Sequence, residues 1–230
     1  MVSSYGKAFT LWRESAKRKE GDAWSAYTHH SFVESLRDGS LPREAYVHYL
    51  IQDYVFLVHF SRAWALAVVK SETLSEMKLA STTVNSLVNL EMQHHVDICA
   101  KYGISEQELF SATEEPENLS YTRYVLDAGL SGDLVDLLAA LAPCIFGYGE
   151  IGKRLADNLS PDNPYAEWIK TYASDEYQQV CNEAGQLIDE ALERRIGSDF
   201  QASPRWERLT DRFVMAAKLE AGFWSMSLRT

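Results

Sequence analysis

Cysteine is scarce in this 230-residue chain, which holds Cys99, Cys144 and Cys181 and no others. An odd, small number does not build a disulfide framework and points to free thiols in a reducing compartment. Basic charge is also short: 22 Lys and Arg stand against 33 Asp and Glu, and the cations form no run or stripe. The formal charge of −11 repels a phosphate backbone and an anionic membrane surface. No nucleic acid and no membrane is therefore expected as a partner, and a small cationic or neutral ligand suits the field better. The longest apolar run, Leu137 to Gly149, is too short to span a bilayer and contains Pro143. Met1 to Arg18 holds no apolar core of signal-peptide length, so the expected location is cytoplasmic. A Gly-rich phosphate loop, Cys-x-x-Cys and His-Glu-x-x-His are all missing.

Helical periodicity fills the space between widely spaced breakers, and strand-like alternation is nowhere sustained. The pattern predicts helices over 5–18, 23–37, 42–71, 75–101, 119–131, 133–158, 165–172, 174–196 and 203–228. Punctuation supports these bounds. Ser40 can cap and Pro42 can open the third helix, Gly103 can close the fourth, Ser105 and Glu108 have capping-box spacing, and Asp133 can cap the sixth. No repeat, low-complexity stretch or linker interrupts the chain. The expectation is one all-α domain over 1–230, a multi-helical bundle.

Three segments could carry chemistry. In Leu141-Ala-Pro-Cys144, followed by Ile-Phe-Gly-Tyr-Gly-Glu150, a proline inside a helix precedes a thiol and should kink the helix. Gly147, Tyr148 and Ile151 share the face of Cys144, so small residues, a thiol and one aromatic hydroxyl could make a slot for a flat ligand. The plain alternative is that Cys144 is a small core hydrophobe. Cys99 and Cys181 lack such surroundings and read as structural. Asp53 stands on an aromatic face with Tyr46, Tyr49, Phe56, Phe60 and Trp64, where an acid is costly without a partner. It could orient a ligand or form an internal ion pair. His59 could carry protons or be a satisfied core histidine. Glu220 shares a face with Phe223 and Trp224, and a carboxyl against aromatic walls suits a general acid; the alternative is a solvated glutamate. Glu91 and His94 form half of a carboxylate di-metal motif to which Glu150 and Asp175 could add ligands. A second Glu-x-x-His does not exist, and none of the six histidines (29, 30, 48, 59, 94 and 95) lies in the later helices, so no metal is expected.

Taken in order and spacing, these segments resemble the TenA/thiaminase II family, whose fold is that of heme oxygenase. The likeness runs from Phe32-Val-Glu-Ser-Leu-Arg-Asp-Gly-Ser-Leu-Pro42 to Phe223-Trp224. Gln52-Asp53, its following aromatics and His59-Phe60 are similar to the family's acidic substrate-binding helix. Cys144 with Tyr148 and Glu150 is similar to its nucleophile helix and marks the cysteine-bearing branch. Tyr121 and Tyr172 match aromatic pocket positions, and Glu220 matches the C-terminal catalytic acid. The resemblance implies hydrolysis of an aminopyrimidine from thiamin breakdown, and of thiamin itself in some members, to hydroxymethylpyrimidine and an amine. Cys144, Glu220 and Asp53 would be catalytic, and Phe56, Tyr121, Tyr148, Tyr172 and Phe223 would bind substrate, with no cofactor. It also implies a homodimer or homotetramer. Phe56 stands where many members have tyrosine, so one polar contact could be absent. Gly147 and Gly149 replace bulkier residues and could widen the pocket. Two rivals remain: a cofactor-dependent oxidase or oxygenase on the same fold, and a non-catalytic pyrimidine-binding regulator.

Overall fold

The computed structural model describes residues 5–18 and 21–229, so residues 1–4 of the N-terminal stretch considered above lie outside it. Among the described residues every regular element is helical. In chain order these are α1 (Lys7–Arg18), α2 (Ala23–Thr28), α3 (Ser31–Asp38), α4 (Arg43–Lys70), α5 (Leu74–Ser86), a π turn (Leu87–Glu91), α6 (Met92–Lys101), α7 (Glu106–Phe110), α8 (Pro116–Ser131), α9 (Leu134–Ala156), α10 (Ala166–Ala173), α11 (Asp175–Ile196), a 3₁₀ turn (Phe200–Ala202) and α12 (Pro204–Ser227). They gather into two compact units, one of Met1–Leu41 with Leu138–Trp224 and one of Pro42–Leu137 with Ser225–Thr230.

In the first unit α11 receives the start of the chain. A Cβ on Gly185 would lie 1.3 Å from the Tyr5 carbonyl oxygen, so only glycine lets the backbone approach this closely. One turn further on, the Asp189 carboxylate accepts from the backbone N–H groups of Lys7 (2.7 Å) and Ala8 (2.8 Å). It thus satisfies two orphan donors at the N-terminus of α1, a favourable place for negative charge. Around this joint Tyr5 stacks on Phe146, and Trp12 stacks on both Trp206 and Phe213.

The second unit is organised by α4, which packs against α5, α6 and α8. At its closest approach to α8, a Cβ on Gly129 would meet Leu66 at 2.6 Å.

Several boundaries depart from the sequence pattern for local reasons. The predicted helix over 23–37 breaks at His29–His30, where His30 is extended and its ring accepts from Phe32 N to restart the chain as α3. Ser40 does not cap α4. Its amide donates to Asp38 Oδ1 just beyond the left-handed Gly39, and Pro42 occupies the cap position without a side-chain bond. The helix predicted from 119 begins earlier, with Pro116 in its first turn, where a missing N–H costs nothing. Asp133 does cap α9, accepting from Val135 and Asp136. Helix α9 is long and apolar enough to cross a membrane by length and composition, beyond what the run 137–149 suggested; 89% of its most apolar stretch is buried inside the fold, as in a core helix.

Candidate active site

Helix α9 carries Cys144 in its middle and runs through Pro143 without a break. Proline has no N–H, so the carbonyl four residues earlier loses its intrahelical donor. Neighbouring elements hold the backbone around the thiol. Tyr27 Oη on α2 donates to the Pro143 carbonyl (3.4 Å), and Tyr177 Oη on α11 donates to the Ile145 carbonyl (3.2 Å). Of the three cysteines, none in a disulfide, only Cys144 keeps accessible surface. Burial pushes Cys99 up to about 11, helped by the charge of Asp53, and Cys181 up to about 12. Both therefore stay protonated and inert, as expected of structural thiols.

Tyr148, one turn beyond Cys144, is the hub of an aromatic cluster. Its ring lies 4.9 Å from Tyr172, 5.9 Å from Trp168 and 5.5 Å from Trp224. Trp224 is one turn beyond Glu220 on α12, on the same helix face. The Tyr148–Trp224 contact therefore joins the row Cys144–Tyr148 to the row Glu220–Trp224. Phe223 packs edge-on against Trp224 at 6.3 Å. Glu220 is 2% exposed, which overturns the alternative of a solvated glutamate.

The glycines of α9 do not open a slot. A Cβ on Gly147 would sit 2.1 Å from Tyr27 Cε1, and one on Gly149 would sit 2.7 Å from Cys181 Sγ and 2.9 Å from Tyr5 Oη. Their missing side chains make room for protein, not for ligand. Glu150 is likewise committed, to an ion pair with Arg13 and a hydrogen bond from Trp24 Nε1 (2.9 Å).

In the second unit the structure brings together Asp53, Phe56 and Tyr121. Phe56, one turn after Asp53, stacks on Tyr121 at 5.0 Å. Asp53 is 5% exposed and forms the internal ion pair that its setting demanded, with His95 Nε2 at 2.7 Å. Tyr49 Oη donates to it at 3.2 Å. Burial alone would push His95 down, but the hydrogen bond and charge of Asp53, with the charge of Glu91, outweigh it and hold the imidazole above its ordinary value. His94, the histidine of the half-motif with Glu91, is exposed. Among the described residues no three His, Cys, Asp or Glu side chains are grouped as metal ligands would be. His59 is half-buried between Glu114 and Arg123, the setting of a satisfied histidine. Sequence reasoning passed over His95; the signal was the isolated acid at Asp53, which needed a basic partner from another helix.

The model of the TENA/THI-4/PQQC family matches residues 18–230. An aminopyrimidine aminohydrolase of Halalkalibacterium halodurans is 34% identical over 215 residues, 93% of each chain. Among solved structures, a TenA family transcription regulator from a Silicibacter species matches with a TM-score of 0.95 at 60% identity, covering 100% of both chains. A Shewanella denitrificans domain of unknown function with a heme oxygenase-like fold matches at TM-score 0.71 and 14% identity, over 97% of this chain and 93% of its own. That last likeness is one of fold alone.

Proposed function

The chain belongs to the TENA/THI-4/PQQC family, and from that premise we propose that it hydrolyses an aminopyrimidine derived from thiamin to hydroxymethylpyrimidine and an amine, with Cys144 as covalent nucleophile. The observation that carries this reading is the join between two helix rows: Cys144 and Tyr148 on α9, Glu220 and Trp224 on α12, meeting at the Tyr148–Trp224 contact. It sets an accessible thiol and a buried carboxyl on helices locked by one aromatic cluster, and rigid support of this kind is what catalytic groups need.

In the proposed reaction the Cys144 thiolate adds to an electron-poor ring carbon, and a ring nitrogen takes up a proton. Glu220 protonates the exocyclic amine, which leaves with its bonding pair. Water then adds to the methylene carbon so exposed and its proton passes back to Glu220; the ring nitrogen gives up the proton it took, and the thiolate is expelled as the ring regains aromaticity. The sum is one water consumed and one amine released, with no net redox change. Tyr148 supplies a hydrogen bond to the pyrimidine, and Tyr172 and Phe223 supply flat apolar contact.

The test is incubation with aminomethyl-aminopyrimidine while hydroxymethylpyrimidine is followed by chromatography. Cys144→Ala should lose roughly 10³-fold or more in kcat, as removal of an essential nucleophile does elsewhere. Wild-type activity no better than that of the variant would overturn the proposal. Tight pyrimidine binding without turnover would favour the non-catalytic regulator instead.

A further inference from the structure

Helix α11 begins with a grip on α9. The stretch Tyr172-Ala-Ser-Asp-Glu-Tyr-Gln178 closes α10 and opens α11, and Ser174 caps the new helix by accepting from the Tyr177 backbone N–H (3.2 Å). The cap sets two consecutive donors, Tyr177 and Gln178, at the start of α11. Tyr177 Oη donates to the Ile145 carbonyl (3.2 Å), and Gln178 Nε2 donates to the Gly149 carbonyl (3.1 Å). Those carbonyls are about one helical turn apart on α9. Each belongs to the residue directly after a member of the proposed site, Cys144 and Tyr148.

The same two residues hold Tyr172. Gln178 Nε2 also donates to the Tyr172 carbonyl (2.9 Å), and Oε1 accepts from Tyr5 Oη (2.6 Å), so both ends of this buried amide are engaged. The Tyr177 ring stands edge-on to the Tyr172 ring at 4.9 Å. Gly152 lets the end of α10 settle directly on α9: a Cβ there would lie 2.4 Å from the Tyr172 carbonyl carbon. All of these residues lie in the first unit. A carbonyl inside a helix already has an N–H partner four residues on, so Ile145 needs no second donor to be satisfied. What the Tyr177 hydroxyl adds is a fixed position. It adds it two residues after Pro143, which has removed one rung of the same helix.

We infer that Tyr177 is a positioning residue for the thiol reaction, with its two ends given to two tasks. The hydroxyl holds the Cys144 turn of α9 where the sulfur can attack. The ring holds Tyr172 as a wall for the pyrimidine. The inference rests on the hydrolase reading above for what is attacked. Reacting groups must be kept within about 0.5 Å of the productive geometry, and supporting hydrogen bonds do this for side chains that cannot do it alone.

Two variants of Tyr177 separate the tasks. Tyr177→Phe keeps the ring and removes the hydroxyl, and Tyr177→Leu removes both. With aminomethyl-aminopyrimidine as substrate, Tyr177→Phe should lower kcat about 10-fold and leave KM within about threefold, since a misplacement of about 1 Å costs up to about 100-fold in rate. Tyr177→Leu should lower kcat at least as much and raise KM about 10-fold, because a wall without support binds less well. Gln179→Ala, at the exposed next-but-one position, should match wild type in both constants. A hydroxyl that serves stability alone would lower the melting temperature of Tyr177→Phe and leave both constants of the folded protein unchanged, and that result would overturn the inference. A Phe variant with raised KM and unchanged kcat would overturn it too, because the hydroxyl would then bind substrate. If wild type turns over no aminopyrimidine, the hydrolase reading fails and NMR decides the grip alone. With isoleucine carbonyls labelled with ¹³C, the Ile145 signal should move upfield in Tyr177→Phe as its second donor is lost; an unmoved signal would overturn the grip.

Discussion

Gly147 on α9 and Tyr27 on α2 occupy one space between them: a Cβ on the glycine would lie 2.1 Å from Tyr27 Cε1 and 2.5 Å from its hydroxyl oxygen. The same hydroxyl donates to the Pro143 carbonyl, immediately before Cys144. The glycine therefore fixes where the Cys144 turn sits instead of widening a cavity. Gly147→Ala should destabilise the fold by about 2 kcal/mol, as overpacking does, and lower the melting temperature by about 4–8 °C for a chain of this size. Calorimetry reads this directly; a Gly147→Ala protein as stable as wild type would mean that Tyr27 is free to move aside.

Reactivity should separate the three thiols. Cys144 keeps accessible surface, while burial holds Cys99 near about 11 and Cys181 near about 12. Alkylation at pH 8 followed by peptide mass spectrometry should label Cys144 in the native protein and the other two only after denaturant is added, because the thiolate is the attacking species. Native labelling of Cys99 or Cys181 at a rate comparable to Cys144 would contradict the assignment.

The Asp53–His95 pair gives stability a defined pH dependence. The imidazole is held above its ordinary 6.5 in the fold. A group whose folded value is raised stabilises fully below its unfolded value, and that share is lost as pH rises through the folded value. His95→Gln does not titrate, so the melting-temperature gap between wild type and this variant should be widest below pH 6.5, down to about pH 5 where carboxylates begin to protonate, and should narrow as pH is raised. A gap that widens toward alkaline pH would show that the imidazole is held neutral.

We propose a homodimer or homotetramer, as the family resemblance implies. Large apolar side chains stand out in the second unit, with Val69 77%, Phe110 84% and Leu74 and Leu90 each 65% exposed. Exposed apolar surface marks association when it is gathered into patches. Light scattering on the purified protein should give two or four times the 26.1 kDa chain mass; a monomer at micromolar concentration would argue against it.

Much of the molecule could be read without coordinates. The spacing of apolar residues and the breakers between them determined an all-helical chain, since period-3.6 patterning needs only local geometry. The order of Asp53, Cys144 and Glu220, with their aromatic neighbours, determined the family. That Cys99 and Cys181 are core thiols followed from amphipathic helices with nothing reactive near them, and Glu108 closed its capping box on Ser105 as a local rule requires.

Tertiary structure decided the rest, because each remaining question depended on a partner distant in sequence. Whether Gly147 makes a slot or a seat depended on Tyr27, 120 positions earlier in the chain. Whether Glu220 is solvated or buried depended on what packs over α12. Which histidine meets Asp53 depended on how α6 packs against α4. Local propensities set the elements and the family; which side chains meet was fixed by long-range packing.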